Sequence, residues 1–302
     1  MAASNPESSV SVPLDTSPIR VTETEAYSFD AAEVARAGRR ISDDNITVFA
    51  DEVHLEYQVR ASGSRRKGFG IRRTRSMKAL RGISLAVREG EFVGLVGRNG
   101  SGKSSLLRVL AGLEPPSEGL VLTSAQPQLL GVSAALLPEL SGEENIRLGL
   151  LAMGFSPEVV EAKRSEVTEL SNLDDALRMP MRTYSSGMAA RLRFAISVAA
   201  KPEILMIDEA LSTGDAAFME RSRRAMDQMI ASAGTVFLVS HAAQQIEEMC
   251  TRAVWLDRGR VIADGPARDI ARAYRWFAHN LAQGNNDKAE QLLADAALQF
   301  KT

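Results

Sequence analysis

The 302 residues include 36 Lys and Arg against 38 Asp and Glu, a formal net charge of -2, which excludes a protein that binds nucleic acid over its whole surface but leaves room for a local basic patch. Apolar content of 45% and charged content of 25% are ordinary for a globular chain, and the length suffices to bury a large core. The single cysteine, Cys250, excludes an internal disulfide and fits a reducing compartment.

Taken in order, the chain starts Met-Ala-Ala-Ser-Asn-Pro-Glu, with no basic run leading into an apolar core, so it does not read as a secretory signal. Residues 1–45 are rich in Ser, Pro, Glu and Asp and are expected to be a disordered or loosely attached extension, with a short helix over Ala31–Arg40. From Ile46, the alternation of Val48, Ala50, Val53, Leu55 and Tyr57 predicts a strand that stops after Arg60 and resumes near Ile83. Between them lies a basic insert, about 61–76. Arg60, Arg65, Arg66, Lys67, Arg72, Arg73, Arg75, Lys78 and Arg81 occur there without one acidic residue.

The next stretch organises the chain. Gly97-Arg98-Asn99-Gly100-Ser101-Gly102-Lys103-Ser104 follows the pattern G-x-x-x-x-G-K-[ST], with the apolar run Phe92–Val96 before it as a buried strand and a helix from Ser104 to Ala111 after it. The chemistry needs these types. Glycines let backbone N–H groups converge on phosphate oxygens, Lys103 supplies a point charge, and the Ser104 hydroxyl can ligate Mg²⁺, with Ser105 next in the helix. Strand-like Leu120–Leu122 and Gln128–Val132 follow, and the uncharged run Gly119–Pro138 reads as strand and loop, not a membrane span. A mostly helical stretch, Ser141–Leu177, then interrupts the α/β alternation.

Alternation resumes with a helix over Ser186–Ala200, a strand over Ile204–Ile207, a helix near Ala217–Ser232, a strand over Thr235–Val239 and a helix over Ala242–Cys250, which predicts a parallel sheet covered on both faces. Ile204-Leu205-Met206-Ile207-Asp208-Glu209 reads as a buried strand that delivers two carboxylates to a nucleotide site. Asp208 would hold Mg²⁺ through water and Glu209 would polarise the attacking water. His241 would lie near the γ-phosphate if its strand neighbours that of Asp208. Tyr184-Ser185-Ser186-Gly187-Met188 opens a helix with backbone amides, a hydroxyl and a positive dipole end, a second anion-binding surface.

In order and spacing these motifs resemble the nucleotide-binding subunit of an ATP-binding cassette (ABC) transporter, over about residues 46–276. The resemblance implies a P-loop NTPase core with a parallel sheet, a small antiparallel β subdomain and a helical subdomain at about 141–200, followed by a short helical tail, 277–302. It also implies ATP and Mg²⁺ as ligands and a head-to-tail dimer in which Ser185, Ser186 and Gly187 of one copy face the P-loop of the other. Tyr57 falls where an aromatic stacks on adenine, Asp215 at the D-loop aspartate and His241 at the switch histidine. Three departures narrow the branch: the signature is Tyr-Ser-Ser-Gly-Met, the D-loop reads Thr213-Gly214-Asp215, and Val132 stands where a glutamine is usual, with Gln126 and Gln128 as nearby substitutes. The Tyr-Ser-Ser-Gly-Met signature, the stretch Gly214-Asp-Ala-Ala-Phe218 and Met249–Arg260 together resemble the ATPases that export polysaccharides, O-antigens and teichoic acids, the glycan being one such as galactan, O-antigen or teichoic acid. That branch implies a peripheral subunit on the cytoplasmic face of the inner membrane, a separate multispanning permease, a lipid-linked glycan as cargo, and no nucleic-acid partner. The competing expectations are a soluble ABC ATPase acting on DNA or ribosomes, and a P-loop kinase or single-site NTPase.

Overall fold

The computed structural model describes residues 20–22, 45–60, 74–130, 136–208, 216–240 and 242–300. One antiparallel sheet runs in the order β1 (Arg20–Thr22), β5 (Glu118–Thr123), β2 (Ile46–Arg60) and β3 (Thr74–Arg88). The other runs β10 (Arg260–Pro266), β9 (Arg252–Asp257), β4 (Phe92–Val96), β8 (Thr235–Val239), β7 (Ile204–Asp208) and β6 (Gln128–Leu130). From β9 to β6 every pairing is parallel, and β10 adds an antiparallel edge.

Strands with unbroken apolar runs must be buried on both faces, and these are. Val93, Leu95, Met206, Phe237, Val239 and Leu256 face one hydrophobic cluster, while Val96, Leu205, Ile207, Val236, Leu238 and Trp255 face another. The first cluster is closed by helix α1 (Lys103–Leu110), which lies between the two sheets with Leu106, Leu107, Val109 and Leu110 buried. Burial contributes about 1.5–3 kcal/mol for each such leucine, so the element that follows the glycine-rich loop is firmly seated.

The helical subdomain has its own core of Ile146, Leu150, Val160, Val167, Leu177, Leu192 and Ile196. Helix α2 (Gly142–Ala152) starts at a capping box: Ser141 Oγ accepts from Glu144 N, and the Glu144 carboxylate accepts from Ser141 N at 2.8 Å. Helix α3 (Pro157–Ser171) starts at Ser156 with proline in its first turn. Helix α4 (Ser186–Ala199) joins this subdomain to the sheet, because Leu192 and Ile196 face the helical core while Phe194 and Val198 face the second sheet cluster. Helices α5 (Ala216–Ser232), α6 (Ala243–Met249), α7 (Ala267–Ala282) and α8 (Asn286–Gln299) contribute Met229, Ile246, Phe277 and Ala296 to that second cluster.

Three details differ from the sequence expectations. Strand β3 starts at Thr74, not near Ile83, and pairs with β2 as far as Arg60. Register shifts at Val53/His54 and Leu55/Glu56 explain why, since each bulge interrupts the period-2 pattern by which a strand is read. Within the segment expected to be loosely attached, Arg20–Thr22 pairs with β5; the rest of 1–44, including Ala31–Arg40, lies outside the described residues. The division after residue 276 falls inside α7, a continuous helix whose Phe277 packs on Trp255 with ring centroids 5.0 Å apart.

Candidate functional site

Strand β4 ends at Val96 and the chain turns at once through Gly97–Gly102 into α1. Gly97 sits at φ 147, and a Cβ there would stand 2.2 Å from the Leu256 carbonyl, so only glycine fits against β9. Gly102 is the N-cap of α1 at φ 107, with no side chain capping the helix and no acid in the first turn. The first intrahelical bond is Leu106 N to Gly102 O at 2.8 Å. The amides of Lys103, Ser104 and Ser105 are therefore left at the positive end of the helix dipole, an anion site built from backbone.

Lys103 is only 7% exposed, and its Nζ donates to the carbonyls of Gly97 at 2.6 Å and Arg98 at 3.1 Å. The ammonium is thus held over the loop by main-chain oxygens. Asn99, Gly100 and Ser104 are exposed, while Ser101 is buried and its Oγ has no hydrogen-bond partner among the described residues. Tyr57 is half-buried against the core, its hydroxyl donating to Glu114 Oε2 at 2.9 Å and sharing a hydrogen bond with Ser105. Desolvation pushes its phenol pKa up, against the contribution of Ser105. The ring therefore stands beside the loop helix.

Sheet register places Asp208. Leu95 pairs with Val239, and Val239 pairs with Asp208, so the ends of β4, β8 and β7 are level. With about 4.8 Å between strands, Asp208 lies roughly 10 Å across the sheet from Leu95, at the same edge from which the loop departs. Asp208 is half-buried there. The strand before His241 does neighbour that of Asp208, the condition on which the histidine's placement depended. Glu209, Asp215, Val132 and His241 themselves lie outside the described residues.

Ser185 caps α4, its Oγ accepting from Met188 N at 3.2 Å. Ser185 and Ser186 are exposed, and a Cβ on Gly187 would meet nothing nearer than Ser185 Oγ at 3.8 Å. Packing among the described residues gives no reason for a glycine at that position. The turn also rests on the helical core while the P-loop rests on the core between the sheets, so one chain anchors the two anion surfaces separately.

Neither glutamine offered as a substitute for Val132 is uncommitted. Gln128 is buried and donates to Ser197 O at 3.1 Å, tying β6 to α4, and Gln126 reaches the Ala111 carbonyl at 3.4 Å. Sequence reasoning missed Glu114, which orients Tyr57, and Asp257, which bonds Arg98 in the loop from 159 residues away. Separations of that size carry no periodic signal.

A family model described as ABC transporter matches residues 80–212. The teichoic acids export ATP-binding protein TagH of Listeria innocua is 36% identical over 241 residues, 77% of this chain and 72% of its own length. The protein of that name from Staphylococcus saprophyticus is 33% identical, over 82% of this chain and 94% of its own, and one from Bacillus cereus is 38% identical but matched over 41% of its length. Among solved structures, an ATP-binding subunit of an ABC transporter aligns with a TM-score of 0.59 at 23% identity, covering 76% of this chain and 93% of that one. An ATP-binding cassette solved as a dimer with ADP and Pi aligns at 0.55 and 23% identity, covering 73% and 99%. Phosphate loop, level acidic strand end, capped serine–glycine turn and relatives agree: the chain belongs to the ABC transporter family, as one of its ATP-hydrolysing, ATP-binding subunits.

Proposed function

We propose that this chain is the ATPase subunit of an exporter for a lipid-linked cell-envelope glycan of the teichoic-acid type, working at the cytoplasmic face of the membrane on a separate permease. The observation that carries the reading is a complete phosphate loop accompanied by a turn in which Ser185 and Ser186 are exposed and nothing among the described residues packs where a Cβ on Gly187 would stand, apart from Ser185 Oγ at 3.8 Å. A second copy, turned head to tail, would bring that turn onto the nucleotide held by the first loop. The relatives named for teichoic acid export favour that cargo over galactan or O-antigen. No helix among the described residues is long and apolar enough to cross a membrane, which supports a separate permease as the path for the glycan.

Each residue then has a task. The loop amides and Lys103 hold the phosphates, and the Tyr57 ring offers a stacking face for adenine. The hydroxyl of Ser104 and the carboxylate of Asp208 are hard oxygen donors that suit Mg²⁺, which commonly takes one or two protein ligands and completes its shell with phosphate and water. When bound, the metal would neutralise charge on the β- and γ-phosphates. Glu209 would accept the proton of the attacking water, and His241 would hold the γ-phosphate from the adjacent strand end. The basic insert, most of it outside the described residues, would meet the anionic leaflet or the pyrophosphate of the lipid carrier.

Mixing two damaged proteins tests the composite site. A Lys103→Ala chain paired with a Ser185→Ala chain collects both lesions in one site and leaves the other intact, so the mixture should regain ATPase activity that neither parent has. Hydrolysis that is first order in protein and indifferent to Gly187→Glu would refute the dimer. For the cargo, mass spectrometry of lipid-linked sugars in depleted cells should show an internal build-up of one glycan, and no accumulation would refute the export role.

A further inference from the structure

The phosphate loop has few side chains with which to hold its own shape. Gly97, Gly100 and Gly102 all take positive φ, and Asn99 is exposed. Arg98 is the exception. Its Nε and Nη2 both donate to Asp257 Oδ1, at 3.0 and 2.8 Å, and Asp257 is only 7% exposed. The carbonyl of the same arginine accepts from Lys103 Nζ at 3.1 Å and from Ser101 N at 3.0 Å. One residue therefore joins a buried external anchor to the peptide that holds the loop lysine.

The turn that carries Asp257 grips the loop a second time. Gly259 N donates to Ser101 O at 2.9 Å, and a Cβ on Gly259 would stand 2.5 Å from the Ala79 carbonyl, so β3, the turn and the loop meet backbone to backbone. From the other side the Arg98 guanidinium lies over the Phe277 ring at 5.8 Å from its centroid, within cation–π range. Phe277 is buried on α7 and packs against Trp255, two residues before Asp257. Asp257 is buried but the Arg98 side chain is 35% exposed, and an ion pair open to solvent on one side is a weak source of net stability, so positioning is the role that fits this one.

We infer that Arg98, Asp257 and Phe277 form a positioning brace for the phosphate loop, through which ATP affinity depends on the seating of the C-terminal helix α7. The inference rests on reading the loop as the ATP site, and ATP binding by the native chain tests that reading separately.

The experiment compares ATP dissociation constants, KM and kcat for the native chain with Asp257→Asn, Arg98→Gln, Phe277→Leu and Phe277→Tyr. Asp257→Asn and Arg98→Gln should weaken ATP binding and raise KM about 5- to 20-fold, with kcat within about threefold of native, because a loop that must be ordered on binding loses affinity rather than chemistry. Phe277→Leu should cost about 2- to 5-fold in affinity and Phe277→Tyr, which restores a ring, about none. Val167→Ala, in the separate core of the helical subdomain, should lower the unfolding midpoint without moving KM. Should the neutral variants fail to fold, Arg98→Lys keeps the charge but loses the two-donor grip and should still raise KM. KM within about twofold of native in the folded Arg98 and Asp257 variants, equal losses for Phe277→Leu and Phe277→Tyr, or a KM rise in Val167→Ala would each overturn the brace.

Discussion

Gly94→Ala tests how closely α6 lies on the strand that feeds the phosphate loop. A methyl at this position would stand 2.4 Å from Ile246 Cγ2 and 3.1 Å from both Ile246 Cδ1 and Cys250 Sγ, where carbon contacts are ordinarily about 3.5–4.0 Å. Ile246 is fully buried and has no open side toward which to retreat. Overpacking of this kind costs about 2–3 kcal/mol, and the lower chain entropy of alanine offsets about 0.5–1 of it, for a net loss of about 2 kcal/mol. Ile246→Ala alone removes the two obstructing carbons, the nearest among them, and leaves Cys250 Sγ at 3.1 Å, but it opens a cavity, at about 3 kcal/mol. In the double variant the new methyl enters that cavity, so the combined loss should be about 3 kcal/mol instead of the additive sum of about 5, a coupling of about 2. Urea unfolding of the four proteins, with the slope monitored, measures this. Additivity within about 0.5 kcal/mol, or a neutral Gly94→Ala, would show that helix and strand are further apart than described.

Lys103→Ala should weaken ATP binding about tenfold or more, since it removes a charge-assisted contact to phosphate, as read by equilibrium titration. Glu209→Gln should bind ATP normally and hydrolyse it about 10²–10⁴ times more slowly; near-native turnover would remove it from the catalytic step. Burial pushes the Cys250 thiol up to about 12 from its ordinary value of 9.0, so the folded state keeps its proton where the unfolded chain loses it. Its contribution to stability is therefore complete below about pH 9 and is lost as pH rises toward 12, and Cys250→Ala should flatten that decline in urea midpoints. Reversing Arg72, Arg73 and Arg75 to Glu should impair export in cells and leave the isolated ATPase rate nearly unchanged, since attraction to an anionic leaflet is worth about 1 kcal/mol per basic residue. Equal loss of soluble ATPase activity would make the insert part of the nucleotide site.

Much of the site was legible because its chemistry is local. The loop pattern, the strand before it and the helix after it occupy adjacent positions, and a helix cap such as Ser185 bonds an amide three residues on. The place of Asp208 at the end of Ile204–Asp208 was legible for the same reason, as a polar stop to an apolar run. What escaped was contact across sequence distance and across broken periodicity. The bulges opposite β3 hid its pairing from Thr74 to Arg81, the amide of Gln128 was committed to Ser197 instead of the nucleotide, and the Asp257 anchor of Arg98 had no local mark.

The sequence by itself determined which elements form and where the glycine-rich loop and its lysine fall between strand and helix, because backbone conformation, amphipathic period and loop chemistry are set by residues within a few positions of one another. Tertiary structure alone decided that α1 is clamped between two sheets, that Asp208 comes level with the strand entering the loop, and that a turn and helix near the C-terminus reach Arg98. Those facts depend on strand order and on side-chain packing between distant segments, 159 residues apart for Arg98 and Asp257, and no short-range pattern encodes them.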